Sequence, residues 1–219
     1  MASERHRQLH AEFASRGDAQ GWFDALYREA GGDPAAIPWA DLKDNPLFVA
    51  WRDRTGIDLR SRSSLVVGCG LGDDSETIAA SGGAVTAFDL SPTAIEWCHK
   101  RFPASPVRYV TADLLQPPPE WRHAFGFVLE VYTLQALPAN LRPAGMTRLA
   151  EFVAPGGTLL VICRAREASD PADGPPWPLV REELEALVAA GLRVASFDAV
   201  ADPDDPSIRR FVAAFERPK

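Results

Sequence analysis

Cysteine, histidine and methionine are scarce in this chain: three, four and two among 219 residues. Cys69, Cys98 and Cys163 lie far apart, form no CxxC pair and share no metal-ligand spacing with the histidines. A disulfide scaffold and a zinc ribbon are therefore not expected, nor is any metal; free buried thiols in a reducing compartment are. Positive charge is also short, with 23 Lys and Arg against 30 Asp and Glu and a net charge of −7. Without a basic cluster such a surface repels polyanions, so nucleic acid is not an expected partner. No apolar run approaches the ~20 residues of a membrane span, and the charged N-terminus has no secretory core; a soluble, cytoplasmic protein is expected. No serine sits in a nucleophile elbow, and no histidine lies in a nucleophile or metal-ligand context.

What is present is glycine at one place. An apolar run, Leu65-Val66-Val67, ends in Gly68-Cys69-Gly70-Leu71-Gly72 and meets Asp73-Asp74-Ser75. Glycine adopts backbone angles that side chains forbid and lets a ligand approach the main chain. A strand, a glycine turn and a helix N-terminus make a nucleotide-binding corner, the helix covering 74–81 with Asp or Ser as its cap. The alternative is a tight turn without ligand.

Around that corner the chain alternates strand and helix. Strands are expected at 64–67, 84–89, 107–111, 125–131, 158–163, 192–200 and 209–216, and helices at 74–81, 92–101, 140–152 and 180–190. Ser91-Pro92 is a strong helix start. The pattern predicts an α/β fold: a Rossmann-like, seven-stranded, mostly parallel sheet with helices on both faces. Residues 1–60 fit no sheet pattern; they hold Trp22, Trp39 and Trp51 and read as an N-terminal helical cap on a domain spanning 61–219.

Ligands of such sheets bind at the carboxyl ends of the strands, and the polar residues of interest fall there. Asp89 ends the second strand, 21 residues after Gly68. It either accepts both hydroxyls of a ribose or caps the helix after Ser91. Asp113, followed by Leu114, ends the third and suits an adenine edge, although Asp is common in turns. Glu130 ends the fourth with its carboxylate expected to face the crevice, there to bind a cation, accept a proton or pair with an Arg. Tyr132 lines the pocket or sits in the core. Trp22, Trp39 and Trp177 fall in segments placed to cover this edge; they either pack the cap down or wall a cation or planar substrate.

The ordered set of 66–74, Asp89, Asp113, Glu130 and Ala154-Pro155-Gly156-Gly157 resembles the class I S-adenosylmethionine-dependent methyltransferases. Trp22, Pro38-Trp39 and Gly174-Pro175-Pro176-Trp177 are similar to the thiopurine methyltransferase-like branch, which includes halide and thiol methyltransferases. The resemblance implies that Gly68, Cys69, Gly70 and Gly72 cradle the methionine part of S-adenosylmethionine, that Asp89 with Leu90 holds the ribose, and that Asp113 and Leu114 read the adenine. Glu130 would stand near the methionine end and Trp39 would close over the cofactor. Many class I enzymes carry an acid where this chain has Val66. The amino group then falls to backbone carbonyls or to Asp73 or Glu130.

The resulting expectation is methyl transfer to a small molecule by in-line displacement, leaving S-adenosylhomocysteine. A thiol ionises near pH ~8.5 and needs little base; an oxygen or amide acceptor needs one, with Glu130 or Tyr132 the first candidates. Two alternatives stay open: a protein that binds the cofactor without turnover, and an NAD(P)-dependent oxidoreductase. The dinucleotide fingerprint wants glycine where Asp73 stands.

Overall fold

The computed structural model describes residues 2–172 and 174–219; Met1 and Asp173 lie outside the described residues. The sheet has seven strands in the order β3-β2-β1-β4-β5-β7-β6. They are β1 (Ser63–Val67), β2 (Ala84–Asp89), β3 (Arg108–Thr111), β4 (Phe125–Val131), β5 (Val153–Arg164), β6 (Arg193–Ala201) and β7 (Arg209–Glu216). β1 to β5 pair parallel, while β7 runs antiparallel to both β5 and β6. The order reverses between β1 and β4, and a crevice opens at such a switch point.

Both faces of the sheet are covered. On one, α6 (Arg142–Phe152) and α7 (Glu185–Ala189) bury Met146, Leu149, Phe152 and Leu187 against the odd-numbered side chains Leu159, Val161, Phe211 and Phe215. On the other, α3 (Pro46–Thr55), α4 (Asp73–Ala80) and α5 (Pro92–Arg101) cover Val66, Phe127, Leu160, Ile162 and Val212. The two-residue alternation of a strand sorts these sets, and burying both explains why β4 and β5 read as nearly continuous apolar runs. Phe48 and Trp51 of α3 stack on Phe127 at 6.3 and 6.0 Å, so this helix belongs to the core of the sheet. By contrast α1 (Ala2–Ala14) and α2 (Trp22–Ala30) build a separate apolar cluster with Leu9, Trp22, Leu26, Tyr27 and Trp97.

The expected elements differ from the observed ones in a few places. The first residue of α4 follows Gly72, which has φ +92° and caps without a side chain. The expected Asp or Ser cap is absent because Asp73 turns to Arg101, at 2.7 and 2.9 Å, and Asp74 accepts from the Asn45 amide at 2.7 Å. Strand β5 starts at Val153, ahead of the glycine turn, and reaches β4 through an irregular register at Phe125/Phe127. The helix expected over 180–190 opens as a 3-10 turn at Arg181–Leu184 before becoming α7. Ser91 caps α5 as expected, its Oγ accepting from the Ala94 amide at 3.0 Å.

Candidate active site

At the end of β1 the backbone turns through left-handed conformations at Gly68 (φ +60°), Gly70 (+53°) and Gly72 (+92°). The turn is fixed from two sides. Cys69 N donates to Phe88 O at 2.8 Å, and Gly70 N donates to Asp89 Oδ2 at 3.0 Å. A side chain at Gly68 would strike Thr133 Oγ1 at 2.3 Å, and one at Gly72 would strike Tyr109 Oη at 2.5 Å. At Gly70 a Cβ meets only Tyr27 Oη, at 3.5 Å. Gly70 is therefore the glycine whose missing side chain leaves space for something other than the protein.

Asp89 stands between β2 and α5. Its Oδ1 accepts from Ser91 N at 2.9 Å and its Oδ2 from Gly70 N, and burial pushes its pKa up to about 6. Each oxygen keeps acceptor capacity for a hydroxyl, so the cap and ribose roles are compatible. Asp113 Oδ1 accepts from the Leu115 amide at 2.8 Å, a turn of its own, leaving Oδ2 free. The Leu114 side chain is buried in the sheet core on the α6 side. Leu90 is half-buried beside Asp89.

Glu130 departs from expectation. Its carboxylate does not face an open crevice; the residue is fully buried and Oε1 accepts from Thr133 N and Leu134 N at 2.6 and 2.9 Å. The chain leaves β4 through a left-handed turn at Tyr132, φ +65°, and the two amides after it need an acceptor. Oε2 is enclosed and has no partner, and burial pushes the pKa to about 7. The register pair Val67↔Glu130 and the bond from Thr133 Oγ1 to Val67 O, 3.1 Å, put this turn against the Gly68 loop. Asp73, expected as an alternative acid for the amino group, is engaged by Arg101 and lies away from that task.

Tyr132 Oη accepts from Asn45 Nδ2 at 3.0 Å, and the Arg210 guanidinium lies 4.2 Å over its ring. Burial raises its pKa, so the phenol is a poor base at neutral pH. Over the loop sits a ladder of aromatic groups: Trp39 Nε1 donates to Tyr27 Oη at 2.9 Å, and Tyr27 Oη faces Gly70. Trp22 does not line an opening. It is 1% exposed, stacked on Phe23 at 3.9 Å and set edge-on to Trp39. Trp177 is tied to Gln135 O through its amide at 2.7 Å, and its ring meets His10 edge-on at 5.1 Å.

Sequence reasoning missed Tyr27, Asn45, Arg210 and the two histidines of α1. His6 is buried, with Nε2 3.1 Å from Pro175 O, and His10 packs against Trp22 and Trp177. Their helix looked polar because its apolar partners lie 16 and about 170 positions away. Asn45 carried a signal, since Asn before Pro is a helix start; its Oδ1 indeed caps α3 through Leu47 and Phe48. The cap is docked by Asp24, whose Oδ1 accepts from Ser91 Oγ at 2.8 Å and Thr93 N at 3.2 Å at the N-terminus of α5.

The cradle fits S-adenosylmethionine on two counts, the clear approach at Gly70 and a carboxylate with spare acceptor capacity at the end of β2, while Glu130 Oε2 stays an unpartnered acceptor enclosed in the turn packed against the loop. A family model described as a methyltransferase domain matches residues 65–157, from the glycine loop to the turn inside β5. The chain is an S-adenosylmethionine-dependent methyltransferase. A probable thiol methyltransferase of Arabidopsis thaliana is 27% identical over 193 residues, covering 87% of this chain and 81% of the relative. A thiopurine S-methyltransferase of Vibrio atlanticus is 24% identical over 183 residues, covering 76% and 82%. The fold of this methyltransferase is shared by the N-methyltransferase NodS of Bradyrhizobium japonicum, solved with S-adenosyl-L-homocysteine. There the TM-score is 0.67, identity 23%, and coverage 89% and 97%. Among the described residues no helix is long and apolar enough to cross a membrane, and no three His, Cys, Asp or Glu gather as a metal site.

Proposed function

We propose that this methyltransferase methylates a small-molecule thiol, and that its thiol-directed chemistry places it with the thiopurine methyltransferase-like branch. One observation carries the reading: neither candidate base is free to act. Glu130 is closed into a turn by two amides, and the Tyr132 phenol is held by Asn45 with its pKa raised by burial. A nucleophile that loses its own proton readily suits such a site, and a thiol at pKa ~8.5 does so. When bound, S-adenosylmethionine supplies a methyl group already activated on a sulfonium.

The chain's own contribution is then alignment and exclusion of water. Gly68, Cys69, Gly70 and Gly72 would hold the methionine part through backbone, and Glu130, enclosed in the turn behind that loop, would favour its amino group through charge. Asp89, with Leu90 beside it, holds the ribose; Asp113 Oδ2 and the Leu114 amide read the adenine. Within residues 1–60, α1 and α2 serve as the cap of a cofactor-binding unit spanning 61–219 to which α3 adds part of the core, with Trp39 and Tyr27 closing over the cradle. Trp177, Tyr132 and His10 flank the acceptor, and Trp22 supports Trp39 from behind.

The test is turnover of labelled cofactor with matched thiols, phenols, heteroaromatic amines and halides, for the native chain and for His10→Gln. Thiols should head the panel and the variant should keep at least about a third of the rate. Turnover confined to phenols, or loss of more than about a hundredfold in the His10 variant, a general-base effect, would refute the reading.

A further inference from the structure

We propose that the acceptor carries a carboxylate, received by Arg210 and Arg164 on the far side of Tyr132; this rests on the thiol reading above and names its substrate class. Arg210 is 8% exposed. Its Nε donates to Asp202 Oδ2 at 2.6 Å and its guanidinium stacks on Tyr132 at 4.2 Å, yet Nη1 is enclosed and donates to nothing. Arg164 is its register partner across β5 and β7, on the same face of the sheet and half-buried. Among the described residues none accepts a hydrogen bond from the Arg164 guanidinium. Burial, then the neighbouring Arg210 charge, lowers the Arg164 pKa against the opposing pull of Asp202 and Asp205.

The surrounding acids do not fill this vacancy. Asp202 is the carboxylate hydrogen-bonded to Arg210, and its Oδ1 already accepts from the amides of Asp204 and Asp205; Asp202 and Asp205 act on Arg164 through space alone. Asp205 turns to Ser207, Asp204 to Lys43, and Asp41 is exposed. A buried guanidinium with an unused edge is costly unless something binds it. A planar fork of N–H donors matches a planar two-oxygen anion better than a single-atom one.

The position is right for an acceptor group. Tyr132 directly precedes Thr133, the residue that a side chain on Gly68 would strike. Contacts lead from Gly68 to Thr133, from Thr133 to its chain neighbour Tyr132, and from Tyr132 to Arg210. A thiol meeting the cradle with its carboxylate a few bonds away would cross Tyr132 and end at the arginines.

The experiment compares 3-mercaptopropionate with its neutral twin 3-mercaptopropionamide as acceptors. The carboxylate should have a KM at least about tenfold lower at similar kcat, the loss expected for a charge-assisted hydrogen bond. Arg164→Gln should bring the two KM values together while leaving the amide within about twofold. Arg210→Lys, which keeps a cation beside Asp202, should do the same without unfolding the chain. Ligand-observed NMR of 3-(methylthio)propionate, with S-adenosylhomocysteine present, reads the subsite independently of turnover. Binding that vanishes in Arg164→Gln supports the inference even if no thiol is methylated, an outcome that would sink the thiol reading alone. Equal KM values in the native chain, or NMR binding unaffected by both substitutions, overturn it. So does Arg164-dependent methylation of thiocyanate without preference for the carboxylate, which would assign the subsite to a bare anion.

Discussion

Gly70→Ala should separate stability from cofactor binding. With φ +53°, an alanine at this position pays the left-handed penalty of roughly 1–2 kcal/mol. No clash is added, because the new Cβ meets only Tyr27 Oη, at 3.5 Å. For a chain of this size about 1 kcal/mol shifts Tm by roughly 2–4 °C, so the variant should melt about 2–8 °C lower and remain folded. Its methyl group, however, would project into the space reserved for the cofactor. Overpacking of about 1–3 kcal/mol converts to a rise in Kd of about fivefold to 150-fold.

Gly68→Ala is the internal control. There the Cβ would lie 2.3 Å from Thr133 Oγ1 and 3.2 Å from its Cβ. Thr133 cannot withdraw cheaply, since its amide is tied to Glu130 and its hydroxyl to Val67 O. Strain, overpacking and a lost hydrogen bond together amount to about 3–6 kcal/mol. That variant should therefore lose stability first, while the Gly70 variant loses affinity first. Calorimetric titration with S-adenosylhomocysteine and thermal melts on both variants decide the matter. A Gly70→Ala protein that binds with native affinity after the expected drop in Tm would show that the cofactor does not approach this glycine.

Other perturbations test neighbouring parts of the site. Glu130→Gln keeps an oxygen for the two amides but loses the negative charge enclosed behind the Gly68 loop; cofactor Kd should rise about tenfold while kcat at saturation stays within about threefold. A collapse of kcat at native Kd would instead restore Glu130 as a base. Asp89→Asn should weaken the cofactor by at least about tenfold with Tm level or higher, because a buried charge is removed; a matching loss of Tm and affinity would mean that the carboxylate only holds the turn. Burial raises Asp74 and Asp89 to about 6 and Glu130 to about 7. The native state thus keeps protons that the unfolded chain releases from about pH 4 upward. The ligand-free protein should melt higher at pH 5 than at pH 8, whereas cofactor affinity, which needs Asp89 ionised, should rise over the same interval. A flat melting profile from pH 5 to 8 would contradict the burial of these groups.

The contrast between the two halves of the site has a physical cause. The framework of the proposed cofactor half was legible because its parts are local: the glycine turn, the strand ends near Asp89 and Asp113, and the cap at Ser91 are each read from a few consecutive residues. The seven-stranded, mostly parallel sheet needed only the alternation of elements; the order of its strands, with β7 reversed between β5 and β6, comes from the structure. What went unread depends on partners remote in sequence. Glu130 looked like a free carboxylate at a strand end until the turn at Tyr132 presented two amides to it, and Asp73 looked available until α5 brought Arg101 across. Trp22 carries the same composition signal whether it walls a pocket or fills a cap; only Phe23 and Trp39 around it decide.

The acceptor half is more dispersed still. Asn45, Tyr132, Arg164 and Arg210 come from four segments, Asn45 joined to Tyr132 by a hydrogen bond, Tyr132 to Arg210 by their ring contact, and Arg164 to Arg210 by the pairing of β5 with the antiparallel β7. That antiparallel strand is the departure from a wholly parallel sheet, and it is what turns Arg210 toward the carboxyl edge. Had β7 run parallel, the start of the strand would lie at the opposite edge, with Glu216 at the crevice end. The proposed subsite attaches acceptor specificity to the reversed strand and the proposed cradle attaches cofactor binding to the parallel ones, so the two should change independently. Substitutions at Arg164 or Arg210 should accordingly alter which thiol is taken while leaving the affinity for S-adenosylhomocysteine within about twofold, and a loss of cofactor affinity in Arg164→Gln would show that the halves are not separable.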